Sequence, residues 1–204
     1  EPNEENPMIG FRGASRYYAP EFQPAFELEC KALHRAITVL GLDNIHVMIP
    51  FVRTPNEFQK VLAIMRDMGL DKTKTEFEKL KIGIMCEIPS NVILAEQFCK
   101  LIDGYSIGSN DLTQLTLGLD RDSELVAGIY DERNEAVKSL LRQVIKVCHE
   151  NHTKIGICGQ GPSDYPDFAE FLVREGIDTI SLTPDSVIKN IKVIANIEKS
   201  LESK

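Results

Sequence analysis

Gly104-Tyr-Ser-Ile-Gly-Ser-Asn-Asp-Leu-Thr-Gln114 is a short apolar run that ends in a Gly-Ser turn and then sets an amide beside a carboxylate. A helix-compatible segment follows at once. That order places Asn110 and Asp111 where a buried strand opens onto a ligand crevice, the position at which parallel α/β architectures put their chemistry. Two other stretches share the layout, Met85-Cys-Glu-Ile-Pro89 and Gly156-Ile-Cys-Gly-Gln-Gly161. Each is an apolar run ending in one reactive side chain, Glu87 or Cys158.

Further out, runs with strand character recur at 8–11, 45–51, 81–88, 105–107, 154–157 and 179–182. Most are continuously apolar, as expected of parallel strands covered on both faces. Helical stripes lie between them. Phe26, Cys30, Leu33, Ile37 and Leu40 share one face, as do Phe58, Val61, Leu62 and Met65. Val92, Ala95 and Phe98 form a third stripe, and Ala136, Leu140, Leu141, Val144 and Ile145 a fourth, followed by Phe168, Phe171 and Leu172. A last helix is expected with Thr183 as N-cap and Pro184 at its first position.

Strand then helix, six times over, requires a parallel sheet, either open and doubly wound or closed into a barrel. Arg12, Glu87, the pair Asn110 and Asp111, and Cys158 fall at or just past the ends of four different apolar runs. One ligand is reachable from so many consecutive strand ends only if the sheet curves round on itself. The expected fold is therefore a (β/α)8 TIM-type barrel. With about six βα units against the eight needed, it is incomplete, its first two strands missing. Residues 1–204 read as one such domain, the later three quarters of a barrel.

The chain is 43% apolar and 26% charged, an ordinary globular composition. A net charge of -8 argues against non-specific binding to nucleic acid or an anionic membrane. No run approaches the roughly 20 apolar residues of a bilayer span. Five cysteines at 30, 86, 99, 148 and 158 form no CxxC pair, which fits reduced thiols in a cytoplasm. All but Cys158 sit in apolar patterns and read as small core residues.

Glu87 and Asp111 are candidates for one divalent cation, since Mg²⁺ is usually held by one or two carboxylates with water and substrate oxygens. Capping of a nearby helix is the alternative for Asp111. Arg12 lies between glycines in Ile9-Gly-Phe-Arg-Gly-Ala-Ser-Arg16, where a guanidinium fork approaches a phosphate or carboxylate. A surface ion pair suits Arg16 better. Arg121, in the polar connection 118–128, either reaches back over the site or pairs with its flanking aspartates. Cys158 stands at the opening of Gly-Gln-Gly-Pro, placed for proton transfer at carbon, with no His pattern for a nucleophilic triad. His149 and His152 precede their strand and read as surface residues.

These residues, with Met48-Ile-Pro-Phe-Val-Arg53 and Gly108-Ser-Asn-Asp-Leu-Thr-Gln114, resemble the C-terminal phosphoenolpyruvate (PEP)/pyruvate barrel of the PEP-utilising enzymes. The Phe-Arg-Gly-Ala-Ser-Arg and Cys-Gly-Gln-Gly-Pro-Ser-Asp versions point to the PEP synthase (pyruvate, water dikinase) branch. The resemblance implies a full enzyme that turns ATP, pyruvate and water into AMP, PEP and phosphate through a phosphohistidine. It also implies roles for single residues. Arg12 would bind the phosphoryl or carboxylate group, and Arg121 the phosphoryl group. Glu87 and Asp111 would hold Mg²⁺ and, with Gly108, Ser109 and Asn110, bind the substrate. Cys158 would move the proton at the methyl carbon of pyruvate. The phosphohistidine and ATP-binding domains would be partners, and the barrel would pair as a homodimer. None of the four histidines lies in the family's Thr-Cys-His motif, so this chain alone is not expected to run the overall reaction. The competing expectations are a truncated dimerisation or ligand-binding module, and another Mg²⁺-dependent enolate barrel such as an aldolase or lyase.

Overall fold

The computed structural model describes residues 1–202. In chain order it contains α1 (Ala14–Tyr17), α2 (Gln23–Thr38), β1 (His46–Ile49), α3 (Pro55–Asp67), β2 (Lys81–Cys86), α4 (Pro89–Ile93), α5 (Ala95–Cys99), β3 (Gly104–Gly108), α6 (Ser109–Leu117), α7 (Glu135–Glu150), β4 (Lys154–Cys158), α8 (Gly161–Asp164), α9 (Pro166–Arg174), β5 (Thr179–Ile180) and α10 (Val187–Glu202). All five strands are parallel, and their order in the sheet is β1-β2-β3-β4-β5. A doubly wound sheet reverses its strand order at a switch point, whereas a barrel adds each strand beside the one before. The sequential order is thus an arc of a (β/α)8 barrel. The arc does not close, because β1 and β5 each pair on one side only.

One expected strand is absent. Segment 8–11 forms turns: the Ile9 amide donates to the Asn6 carbonyl at 3.3 Å, and the Gly10 amide to that of Pro7 at 3.3 Å. The Phe11 amide is taken by the Glu4 carboxylate at 3.0 Å. With its donors satisfied locally, the segment has no ladder to join, so five βα units stand where six were expected. The last helix starts later than expected, at Val187, because residues 184–186 turn first and the Ser186 amide bonds the Thr183 carbonyl. Leu40 lies beyond the end of α2 and is exposed. The third stripe is divided at Leu94 into α4 and α5.

Each strand sends alternate residues to opposite faces. Ile82, Ile84 and Cys86 of β2, Tyr105 and Ile107 of β3, and Ile155 and Ile157 of β4 are all buried beneath the helices. They meet Phe58, Val61 and Met65 of α3, Phe98 of α5, Leu141, Val144 and Ile145 of α7, and Phe168 and Leu172 of α9. The inner face carries small residues and sulfur: Gly83, Met85, Ser106, Gly108, Gly156 and Cys158 lie on it by register. Inside the arc, at the N-terminal ends of the strands, a cavity of about 350 Å³ is lined by His46, Met48, Lys81, Gly83 and Lys154 among others. The candidate site residues gather on the opposite side of the sheet, where the strands have their C-terminal ends. No helix of the described residues is long and apolar enough to cross a membrane.

Candidate functional site

The turn from β3 into α6 forms the centre of the site. Gly108 is the N-cap of α6 and gives it no side-chain cap, so the first turn begins with Ser109, Asn110 and Asp111 at the strand end. Asp111 is 7% exposed and does not cap the helix. Its carboxylate accepts from Arg12 Nη1 at 2.8 Å and lies 3.6 Å from Arg121 Nη1. Arg121 therefore folds back from the loop after α6, its amide held by the Gln114 side chain at 3.0 Å. Arg12 comes from no strand end: it reaches in from the 8–13 turn, over the Phe51 ring at 4.1 Å. Arg16 makes the surface pair expected of it, with Glu1.

Glu87, immediately past β2, is 5% exposed. Its Oε1 accepts the Phe51 amide at 2.7 Å, and a β-carbon on Gly108 would lie 2.7 Å from its Oε2. Burial pushes its carboxyl above the ordinary range, with the Asp111 charge adding to the effect. The Phe51 amide and the Arg12 and Arg121 guanidinium groups oppose it. The two carboxylates thus feel each other and the same two cations. Among the described residues no group of three or more His, Cys, Asp or Glu side chains is placed to hold a metal. Two hard oxygen donors, one of them buried and destabilised as an anion, suit a cation whose remaining positions are filled by water and substrate.

Cys158 ends β4 opposite Gly108 in register. Its Sγ accepts from the Ser106 hydroxyl at 3.4 Å and donates to the Ile107 carbonyl at 3.5 Å. The thiol is half-buried and makes no hydrogen bond to either carboxylate. The next residue, Gly159, has φ 120° and approaches so closely that a β-carbon there would lie 2.5 Å from Ser109 Oγ and 3.6 Å from Asn110 Oδ1. The Ser109 hydroxyl in turn donates to the Cys158 carbonyl at 3.4 Å, and Tyr130 Oη to that of Asn110 at 3.3 Å. All eight sequence-predicted positions (12, 87, 108, 109, 110, 111, 121 and 158) accordingly border one region. His149 and His152 are exposed, away from it.

Four residues of this region were not singled out from the sequence. Phe51 and Arg53 follow β1 in the Pro-Phe-Val-Arg segment, whose proline after an apolar run is a usable signal. Asn91 is fully buried and bonds the Glu87 and Ile88 amides at 3.2 and 2.9 Å. Glu132 is 6% exposed, and its Oε2 has no hydrogen-bond partner. Burial raises its carboxyl above the usual range, opposed by the Ser109 hydroxyl and the Gly161 amide. Nothing local in Asp131-Glu-Arg133 announces it.

The family model described as PEP-utilising enzyme, PEP-binding domain, matches residues 1–199. The chain belongs to this family. The chain is 58% identical over 201 residues to the phosphoenolpyruvate synthase of Aquifex aeolicus, covering 98% of the chain and 23% of that relative. It is 60% identical over 201 residues to that of Synechocystis sp., covering 98% and 24%. Against that of Escherichia coli it is 51% identical over 199 residues, covering 98% and 25%. The domain thus spans about a quarter of the length of these relatives. Among solved structures, an aldolase/citrate lyase family protein from Burkholderia cenocepacia matches with a TM-score of 0.51 at 15% identity, covering 76% of this chain and 65% of the other. RipC from Yersinia pestis matches with a TM-score of 0.51 at 10% identity, covering 90% and 85%. These neighbours are TIM-barrel proteins, and at such identities they speak to the fold alone.

Proposed function

We propose that this domain is the site at which a PEP synthase passes a phosphoryl group from a phosphohistidine to the enolate of pyruvate. The observation that carries the reading is the Asp111 carboxylate lying between Arg12 and Arg121, with Glu87 in electrostatic reach and Cys158 on the adjoining strand end. Such an arrangement presents two anionic ligands for a cation, two guanidinium groups for a substrate carboxylate or phosphoryl group, and a thiol for a proton. The relatives' names support it, and their fourfold greater length supports phosphohistidine and ATP-binding domains supplied from elsewhere.

In the synthesis direction Cys158 Sγ, once its own proton has left to solvent, takes a proton from the methyl carbon of pyruvate. The C–H electron pair forms the C2–C3 double bond, and the carbonyl π pair moves onto the enolate oxygen. The enolate oxygen then attacks the phosphorus of the phosphohistidine, the P–N bond breaks, and the imidazole leaves as PEP forms. Arg12 and Arg121 exchange Asp111 for the substrate's negative oxygens and stabilise the charge in flight. Gly108, Ser109 and Asn110 line the substrate, and the approach of Gly159 to Ser109 and Asn110 keeps the thiol's loop against it. Glu87 and Asp111 would hold Mg²⁺, which supplies positive charge beside the enolate and carboxylate oxygens. A homodimer formed through this domain, in a cytoplasmic enzyme, completes the reading.

The test is exchange of the methyl protons of pyruvate in D2O, followed by proton NMR in the full-length polypeptide. We expect Mg²⁺-dependent exchange that Cys158→Ala abolishes. Undiminished exchange in Cys158→Ala, or exchange indifferent to both Glu87→Gln and Asp111→Asn, would overturn the assignment.

A further inference from the structure

The loop that follows β1 holds three features the proposed reaction leaves unused. First, Phe51 adopts φ 48°, a left-handed conformation that is uncommon for a bulky side chain and persists only where its surroundings impose it. Second, Phe51 is 3% exposed and its ring touches two guanidinium groups, with Arg12 Cζ at 4.1 Å and Arg53 Cζ at 4.9 Å from the centroid. Third, Arg53 turns back along the segment that carries Arg12. Its Nη2 donates to the Gly10 carbonyl at 2.5 Å and its Nη1 to the Arg12 carbonyl at 3.4 Å.

Arg53 is itself fixed from several sides. Its amide donates to Glu57 Oε2 at 2.6 Å, and its guanidinium lies 3.6 Å from Glu57 Oε1, which also accepts from Tyr18 Oη at 3.0 Å. Its carbonyl accepts from Ser90 Oγ at 2.8 Å, and the preceding Val52 carbonyl accepts from Asn91 Nδ2 at 2.6 Å. Asn91 then bonds the Glu87 amide. The 51–53 loop is consequently tied to both halves of the site, to Glu87 through the Phe51 amide and Asn91, and to Arg12 through a guanidinium and a ring.

Arg12 needs such support because its segment belongs to no strand or long helix. We propose that Arg53, with the strained Phe51 turn, is a positioning residue that fixes the Arg12 guanidinium at the mouth of the site. The inference rests on the reaction proposed above. The chemistry explains why arginine stands at 53. A planar fork spans two carbonyls of one turn, whereas a lysine ammonium presents a single point charge. The Phe51 ring packs against the Arg12 guanidinium, whose N–H groups are held by the Asp111 carboxylate at 2.8 Å and the Met8 carbonyl at 3.0 Å, so an anionic substrate takes the place Asp111 now fills.

The experiment compares Arg53→Lys, Arg53→Gln and Arg12→Lys in the full-length polypeptide, with kcat and KM for pyruvate and for ATP, and the Tm of each. We expect kcat/KM for pyruvate to fall about tenfold to a hundredfold in both Arg53 variants, the scale of a small misplacement of a binding group. KM for ATP and the Tm of Arg53→Lys stay at the wild-type values. Wild-type kcat/KM for pyruvate in the Arg53 variants, with Arg12→Lys disabled, overturns the brace and leaves the reaction standing. Wild-type activity in Arg12→Lys as well overturns the reaction. A uniform loss for both substrates with a fallen Tm gives Arg53 only a stabilising part, and also overturns the proposal.

Discussion

A single added methyl at Gly108 tests how tightly the end of β3 is fitted to Glu87. Gly108 has φ -92° and ψ 83°, a backbone open to any residue, so alanine there meets no conformational penalty. Restricting the unfolded chain even favours Gly108→Ala by about 0.4–1 kcal/mol. The new β-carbon would stand 2.7 Å from Glu87 Oε2, 3.0 Å from Glu87 Cβ and 3.0 Å from Met85 Cε. The methionine methyl is the end of a flexible side chain and can swing away. The carboxylate cannot do so freely, because its other oxygen holds the Phe51 amide at 2.7 Å. Overpacking of this kind costs about 1–3 kcal/mol, and loss of that hydrogen bond is part of it. Set against the gain in the unfolded state, the net destabilisation is centred on about 1.3 kcal/mol and reaches about 2.6 kcal/mol at most. For a chain of this size that is a Tm lower by roughly 3–5 °C at the centre and about 10 °C at the limit, read by differential scanning fluorimetry. Activity should fall much further, by about a hundredfold, since the carboxylate is moved by the order of an ångström. The assay is pyruvate-dependent ATP turnover in the full-length polypeptide at a series of Mg²⁺ concentrations, where we expect half-saturation to move upward. A lowered Tm together with wild-type turnover and unchanged Mg²⁺ dependence would show that Glu87 packs beside the site without serving it.

Two further outcomes follow from ionisable groups outside the proposed chemistry. The Glu132 carboxyl is raised by burial above its ordinary 4.5, so folding favours its protonated form. Its contribution to stability is complete below that ordinary value and disappears as pH rises through the raised one. Glu132→Gln should therefore gain on wild type as pH climbs from about 4.5 and level off above the raised value, by about 1.4 kcal/mol per unit of displacement. Urea unfolding across pH measures it, and a gap that does not grow with pH refutes the account. Cys99 Sγ lies 4.0 Å from Cys148 Sγ, a contact that pulls the Cys99 thiol down to about 7. Iodoacetamide labelling of Cys99, mapped by mass spectrometry, should rise through about pH 7, while buried Cys86 and Cys148 stay unlabelled. Replacing Cys148 with alanine should move the Cys99 midpoint toward 9, and a midpoint that stays put refutes the pairing.

The helices were legible because their signal is local. Phe58, Val61 and Met65 recur at helical spacing, and α3 buries all three. The strands at 81, 105 and 154 were legible because parallel strands covered on both faces need unbroken apolar runs. Segment 8–11 misled by the same rule. Met8, Ile9 and Phe11 make an apolar run, but a strand exists only where a neighbouring backbone accepts its hydrogen bonds. Here Pro7 and Gly10 allow turns that satisfy those groups first. Whether a ladder partner is available is a property of the whole fold, and no window of residues contains it.

The same distinction divides the site. Glu87, Asp111 and Cys158 were visible because each closes an apolar run, so that strand geometry alone delivers the side chain to the mouth of the sheet. Phe51 and Asn91 act through a backbone amide and a side-chain amide that become meaningful only once β1 lies beside β2 and the two connecting loops touch. Glu132 lies further still from any local cue, since its surroundings are Ser109 and Gly161, which precede and follow it by more than twenty residues. Charge sets these cases in order of cost. An isolated carboxylate in a buried position is expensive unless something compensates it. Glu87 has an amide and two nearby guanidinium groups, whereas Glu132 keeps one oxygen without a partner. A sequence displays which residues are able to carry charge. The fold decides which of them must pay for carrying it, and that is why the least compensated acid beside the site was the hardest to foresee.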